Sequence, residues 1–142
     1  MIFNIDLSNG TPVYEQIAMQ IKFAVASGAI KTGEMIPSVR QLAKDLAVNP
    51  NTVSRAYRSL QDEEIVNSIR GTGLEIASGA SRKCTTARKE YLRNQFRGAI
   101  FAARQSHIGD DEIKTVFESE LKKTGSRQSN GTQQKSERGA GE

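Results

Sequence analysis

The chain has 142 residues, 37% of them hydrophobic and 25% charged, and carries a formal net charge of +4. No apolar run approaches the roughly 20 residues that cross a bilayer, and no charged-apolar-small leader opens the chain, so a cytoplasmic protein is expected. One cysteine, Cys84, and one histidine, His107, exclude an internal disulfide and the usual transition-metal clusters; no metal or cofactor is expected.

The first element in chain order starts at Thr11-Pro12, read as a helix N-cap followed by a first-turn proline. Val13, Ile17, Ile21 and Val25 repeat on one face of that helix, and Gly28 supplies a C-terminal stop. Residues 31–37 form a turn and a short extended piece. Ser38 then caps a second helix, with Gln41 three residues on to close a capping box. Val39, Leu42, Ala43 and Leu46 mark its buried face. Asn49-Pro50 restarts the chain as an amide-bearing N-cap and a proline at the first helical position. In the third helix Val53, Ala56, Tyr57 and Leu60 point inward, while Asn51, Thr52, Ser54, Arg55 and Arg58 occupy the opposite face. Two capped helices around a tight turn have the pattern of a helix-turn-helix, over about 38–57, which places its second helix in the DNA major groove.

Beyond Leu60, residues 65–69 and 74–76 read as two short strands joined by Arg70-Gly71-Thr72-Gly73, giving a wing over about 65–77. Bare backbone and a base at such a tip suit phosphates and the minor groove. Residues 77–85 lack periodicity; a domain covering 1–79 is expected to end there, with 80–85 as a linker. From 86 to about 106 the residues Leu92, Phe96, Ala99, Ile100 and Ala103 form an apolar stripe, widened by Tyr91 and Phe101. A turn at 106–109 leads to a shorter helix with Asp110, Asp111 and Glu112 in its first turn and Lys122 and Lys123 in its last, as the helix dipole favours. Ile113, Val116, Phe117 and Leu121 form its apolar side. Two helices of this size cannot bury both stripes alone, so 86–123 is expected to dimerise, the other solution being to fold back on the chain's own first domain. Residues 124–142 are expected to be disordered.

Charge is informative locally. Bases and acids nearly cancel over residues 1–80, but within 38–58 Arg40, Lys44, Arg55 and Arg58 are opposed only by Asp45. A second basic run, Arg82, Lys83, Arg88, Lys89, Arg93 and Arg97 against Glu90, reads equally as a solvated helix face or as auxiliary phosphate contact.

The stretch from Pro37 to Arg58 resembles the DNA-binding domain of GntR-type bacterial transcription regulators, and Val48–Tyr57 is especially similar to its small YtrA-like branch. The resemblance implies a mainly α fold with a small β-wing: a winged helix-turn-helix followed by a short C-terminal helical dimerisation appendage. It implies a dimeric repressor on a double-stranded, inverted-repeat operator. Ser38, Arg40, Asn49, Asn51, Thr52, Ser54 and Arg55 fall on its DNA-contact positions, with Arg58, Arg70, Gly71, Thr72 and Gly73 as phosphate or minor-groove neighbours. The chain departs from the family pattern at Glu64, where a glycine is usual, and at Leu74-Glu75, where a threonine and an aromatic are usual. The region after the wing is too small for the metabolite-sensing domains of other branches, and no small-molecule effector is designated. No nucleophile–base pair or phosphate loop marks an enzyme. The alternative is a protein-interaction adaptor that uses the same fold without reading DNA.

Overall fold

The structure, a computed structural model, describes residues 3–133, with side chains through residue 125. Seven elements follow one another: α1 (Val13–Ala26), α2 (Val39–Leu46), α3 (Pro50–Asp62), β1 (Val66–Ile69), β2 (Gly73–Ile76), α4 (Ala80–Gln105) and α5 (Asp110–Gln133). They divide into two compact units, Met1–Arg93 and Asn94–Glu142.

The first unit is built on the apolar faces of α1 to α3. Ile17, Ile21, Val25, Leu42, Val53, Ala56, Tyr57 and Leu60 share one core with Ile65, Val66 and Ile76 from the wing. α1 begins one residue later than its sequence suggests. Pro12 occupies the N-cap and no side chain caps the helix; Thr11 instead accepts, through its carbonyl, from the Gln16 side-chain amide at 2.9 Å. α2 does start on Ser38, whose hydroxyl accepts from the Gln41 amide at 3.1 Å. The reciprocal half of the capping box is not made, because Gln41 Nε2 donates to Asp45 Oδ1 at 2.7 Å, one turn along its own helix. Ala47 closes α2 in the left-handed conformation at φ 53°. Asn49 Oδ1 then accepts from the Asn51 amide at 2.8 Å, and Pro50 takes the first helical position of α3.

The wing is an antiparallel hairpin in which Val66 pairs with Ile76 and Ile69 with Gly73. The piece before α2 extends it: Gly33 and Ile36 donate to the Ile76 and Leu74 carbonyls at 2.9 and 3.0 Å, and Ile76 donates back to Glu34 at 2.9 Å. Gly73 is held at φ +134°, and a Cβ there would meet the Met35 methyl at 3.2 Å. Gly73 is therefore reserved for glycine chiefly by its conformation, since the Met35 methyl is the free end of a flexible side chain.

The expected linker over 80–85 is helix instead. Ala80 and Cys84 are fully buried in the first unit's core, and with Ala87 and Tyr91 they repeat one turn apart along α4. Small side chains carry little hydrophobic signal, and Ser and Thr between them mask it further. Thr85 and Thr86 turn their hydroxyls back to the Ser81 and Arg82 carbonyls, at 2.8 and 3.1 Å, and so fit a helix. The first domain therefore reaches Arg93 rather than residue 79. Tyr91, expected in the dimerisation stripe, lies edge-on to Phe23 of α1 with ring centroids 5.3 Å apart. α5 runs to Gln133, into the stretch expected to be disordered. The remainder of that stretch, 134–142, lies outside the described residues.

In the second unit the end of α4 and α5 are joined by a turn in which His107 adopts φ 60° and Ile108 donates to the Ala103 carbonyl at 3.1 Å. Phe96 and Phe117 meet edge-on, with centroids 6.0 Å apart and rings at 90°. Phe96, Ile100, Val116, Phe117 and Leu121 nonetheless remain exposed. An apolar groove of about 530 Å³ runs between them, lined chiefly by Phe96, Ile100, Ile113 and Phe117.

Candidate nucleic-acid interface

The packing of α3 decides which of its side chains can meet a ligand. Val53, Ala56, Tyr57 and Leu60 are buried, so Asn51, Arg55 and Arg58 stand exposed on the other side, with Thr52 and Ser54 half-buried beside them. The helix is fastened at its middle. Tyr57 donates its hydroxyl to the Pro37 carbonyl at 2.7 Å, tying α3 to the chain just before α2. Burial raises the Tyr57 pKa well above the ordinary tyrosine value, so the hydroxyl stays a donor throughout the physiological range.

Two residues with an expected DNA role are already engaged locally. The side-chain oxygens of Ser38 and Asn49 accept the cap bonds of α2 and α3. Their remaining donors, the Ser38 O–H and the Asn49 NH₂, are what they can offer a phosphate or base. Arg40 lies exposed in the first turn of α2. At the wing, Arg70, Gly71, Thr72 and Gly73 are all exposed, and the Thr72 amide donates to the Ile69 carbonyl at 3.0 Å.

Ion pairing takes up only some of the bases, and Arg82, Arg88, Lys89 and Arg97 of the second basic run stay without a carboxylate partner among the described residues. Lys22, Lys83 and Arg93 are paired with Glu63, Glu64 and Glu90. Among the described residues Arg40, Lys44, Arg55, Arg58 and Arg70 form no ion pair. The bases of α2, α3 and the wing thus keep their charge for an outside anion, and neutralising phosphates releases counterions.

Sequence reasoning missed the support for this face. Arg55 lies with its guanidinium carbon 3.9 Å from the centre of the Tyr14 ring on α1. Gln16, almost wholly buried, clamps the chain ahead of α1: its Nε2 donates to the Asp6 and Thr11 carbonyls and its Oε1 accepts from the Asp6 amide. Gln20 repeats the pairing with Asn4 one turn later. The spacing of the two glutamines was the available signal for that clamp; nothing local marks Tyr14 and Arg55 as partners.

The departures from the expected pattern have simple geometry. Glu64 adopts φ 58°, and its carboxylate meets Lys83 of α4 at 3.1 Å. Leu74 packs half-buried on the core, while Glu75 bridges to Met35. No group of His, Cys, Asp and Glu able to hold a metal occurs among the described residues, and no described helix is long and apolar enough to cross a membrane.

The model of the gntR family of bacterial regulatory proteins matches residues 13–76, which run from the start of α1 to the end of the wing. The transcriptional repressor YtrA of Bacillus subtilis is 36% identical over 117 residues, covering 82% of this chain and 88% of its own. The chain belongs to the GntR family. It falls in the YtrA-like branch and is a transcription regulator with a winged-helix DNA-binding domain. Among solved structures, a transcriptional regulator from Oenococcus oeni is similar at a TM-score of 0.65 and 27% identity, covering 84% of this chain and 99% of that one. YtrA from Sulfolobus acidocaldarius, a GntR-family transcription factor, gives 0.52 and 36%, covering 74% and 99%. Both matches cover more of the chain than the winged helix alone. These relatives are regulators and not enzymes.

Proposed function

We propose that this GntR-family protein is a cytoplasmic homodimeric repressor that binds an inverted-repeat operator through two copies of α3. The observation that carries the reading is the set of exposed bases without an ion pair on the winged helix-turn-helix, Arg40 on α2, Arg55 and Arg58 on α3 and Arg70 at the wing tip. Asn51, Thr52 and Ser54 read base edges from the first turns of α3, where such helices meet the major groove. Arg58 and the Arg70–Gly73 tip meet phosphate or the minor groove, and Ser38, Arg40 and Asn49 contact the backbone beside them.

The exposed apolar groove of the second unit supports dimerisation, since a helix pair with that much apolar surface is unstable in water. Two linked winged domains gain affinity by effective concentration and match half-sites about 34 Å apart or a multiple of it. The repressor name of the Bacillus subtilis relative supports repression rather than activation.

An electrophoretic shift with the DNA upstream of the chain's own gene, against a random duplex of equal length, tests the reading. Preferential binding by a dimer is expected. Equal affinity for both duplexes would leave the protein-interaction adaptor as the better account.

A further inference from the structure

Arg55 is held by a residue outside the helix-turn-helix. Tyr14 stands in the first turn of α1, half-buried and packed on the core of the first unit. Its hydroxyl donates to Glu15 Oε1 at 3.0 Å, which fixes the ring from its other end. The Arg55 guanidinium carbon sits 3.9 Å from the ring centre, well inside the ~6 Å range of a cation–π contact. A guanidinium stacked by its face keeps its N–H edge free to donate, and Arg55 has no carboxylate partner among the described residues.

The direction of the side chain matters. Its head lies over the Tyr14 ring in the first turn of α1. Bases are met from the first turn of a recognition helix, whereas its flanks meet the sugar-phosphate backbone. A free arginine loses much rotamer freedom when it grips a phosphate; one already held on a ring loses less.

We infer that Tyr14 is a positioning residue for DNA binding, whose ring preorganises Arg55 as a phosphate clamp on the α1 side of the recognition helix. This rests on the DNA-binding reading above. It assigns Arg55 a sequence-independent role and adds α1 to the interface.

The test is a double-mutant cycle on the full chain, titrated on the upstream fragment and on a random duplex. Tyr14→Leu should weaken both about fivefold, the value of an exposed to partly desolvated cation–π contact. Tyr14→Phe keeps the ring and should stay within twofold of the parent. In an Arg55→Ala background Tyr14→Leu should have no further effect. Arg55→Ala itself should reduce the salt dependence by about one unit of slope.

Ring current gives a readout independent of DNA and of folding losses in the leucine variant. The Arg55 side-chain N–H resonances should be shifted upfield in the parent and in Tyr14→Phe. Undiminished affinity of Tyr14→Leu, an equal loss in the Arg55→Ala background, or unshifted Arg55 resonances would each overturn the inference. A parent chain that binds neither duplex would instead overturn the DNA-binding reading itself.

Discussion

Replacing Phe117 by alanine should dissociate the proposed dimer while leaving the winged domain folded. Phe117 retains 52% of its surface in water within one copy of the chain. A phenylalanine can bury about 200 Å², so covering the remaining half by a partner removes about 100 Å² from water, or about 2.5 kcal/mol at 25 cal/mol per Å². A twofold interface uses the residue twice, so the substitution removes about 5 kcal/mol from association, between three and four powers of ten in Kd. Chain ordering on association offsets part of this, and two to three powers of ten is the expected observable. Phe117 belongs to the second unit and contributes nothing to the core around α1, α2 and α3. Thermal unfolding of the winged domain should therefore be unchanged. Sedimentation equilibrium of parent and variant over a wide concentration range gives the two constants. A parent chain that stays monomeric, or a variant that dimerises as tightly, would refute the assignment of the groove to a second copy.

Asn51→Ala and Thr52→Ala should each cost about 1–3 kcal/mol on the operator and leave binding to random duplex nearly unchanged, whereas equal losses on both would remove base readout from the first turn of α3. Ala47 is exposed and sits at φ 53°, so Ala47→Gly relieves left-handed strain without losing packing and should stabilise the first unit by about 0.5–1 kcal/mol in chemical denaturation; a loss of stability would show that the methyl group matters. Tyr57→Phe strands the Pro37 carbonyl and should cost about 1–2 kcal/mol at neutral pH. Because burial raises the folded-state pKa of Tyr57, its contribution is complete below the unfolded value near 10 and declines as pH rises beyond it. The alkaline fall in stability should thus be shallower in the phenylalanine variant, and parallel curves would exclude Tyr57 as its source.

The elements most legible in the sequence were those whose signals are local. Ser38 and Asn49 cap α2 and α3 because their oxygens need only reach an amide two or three residues on. The inward stripe of α3 was plain because Val53, Tyr57 and Leu60 are large and regularly spaced. The start of α4 was illegible for the opposite reason. Its buried residues there are Ala80 and Cys84, whose small apolar areas carry little periodic signal, although they are what joins α4 to the core. Tyr91 was assigned to the wrong surface on the same ground: periodicity shows that a face is apolar but not which surface covers it. The pairing of Tyr14 with Arg55 depends on how α1 crosses α3, and no spacing rule reaches that far.

Charge makes the same point from another side. The near-cancellation of acids and bases over residues 1–80 gives no sign of a nucleic-acid ligand. The acids, however, are not evenly distributed among the bases. Glu63 lies just past the C-terminus of α3 and takes Lys22 of α1, and Glu64 takes Lys83 of α4. These pairs join helices within the first unit, away from the N-terminal turns of α3. Had either carboxylate stood one turn into the outward face of α3, it would have neutralised Arg55 or Arg58 and repelled phosphate. Placing these acids beyond the end of the helix keeps net charge low without pairing Arg55 or Arg58. It also gives the unpaired arginines, and not the total of +4, the weight in the assignment.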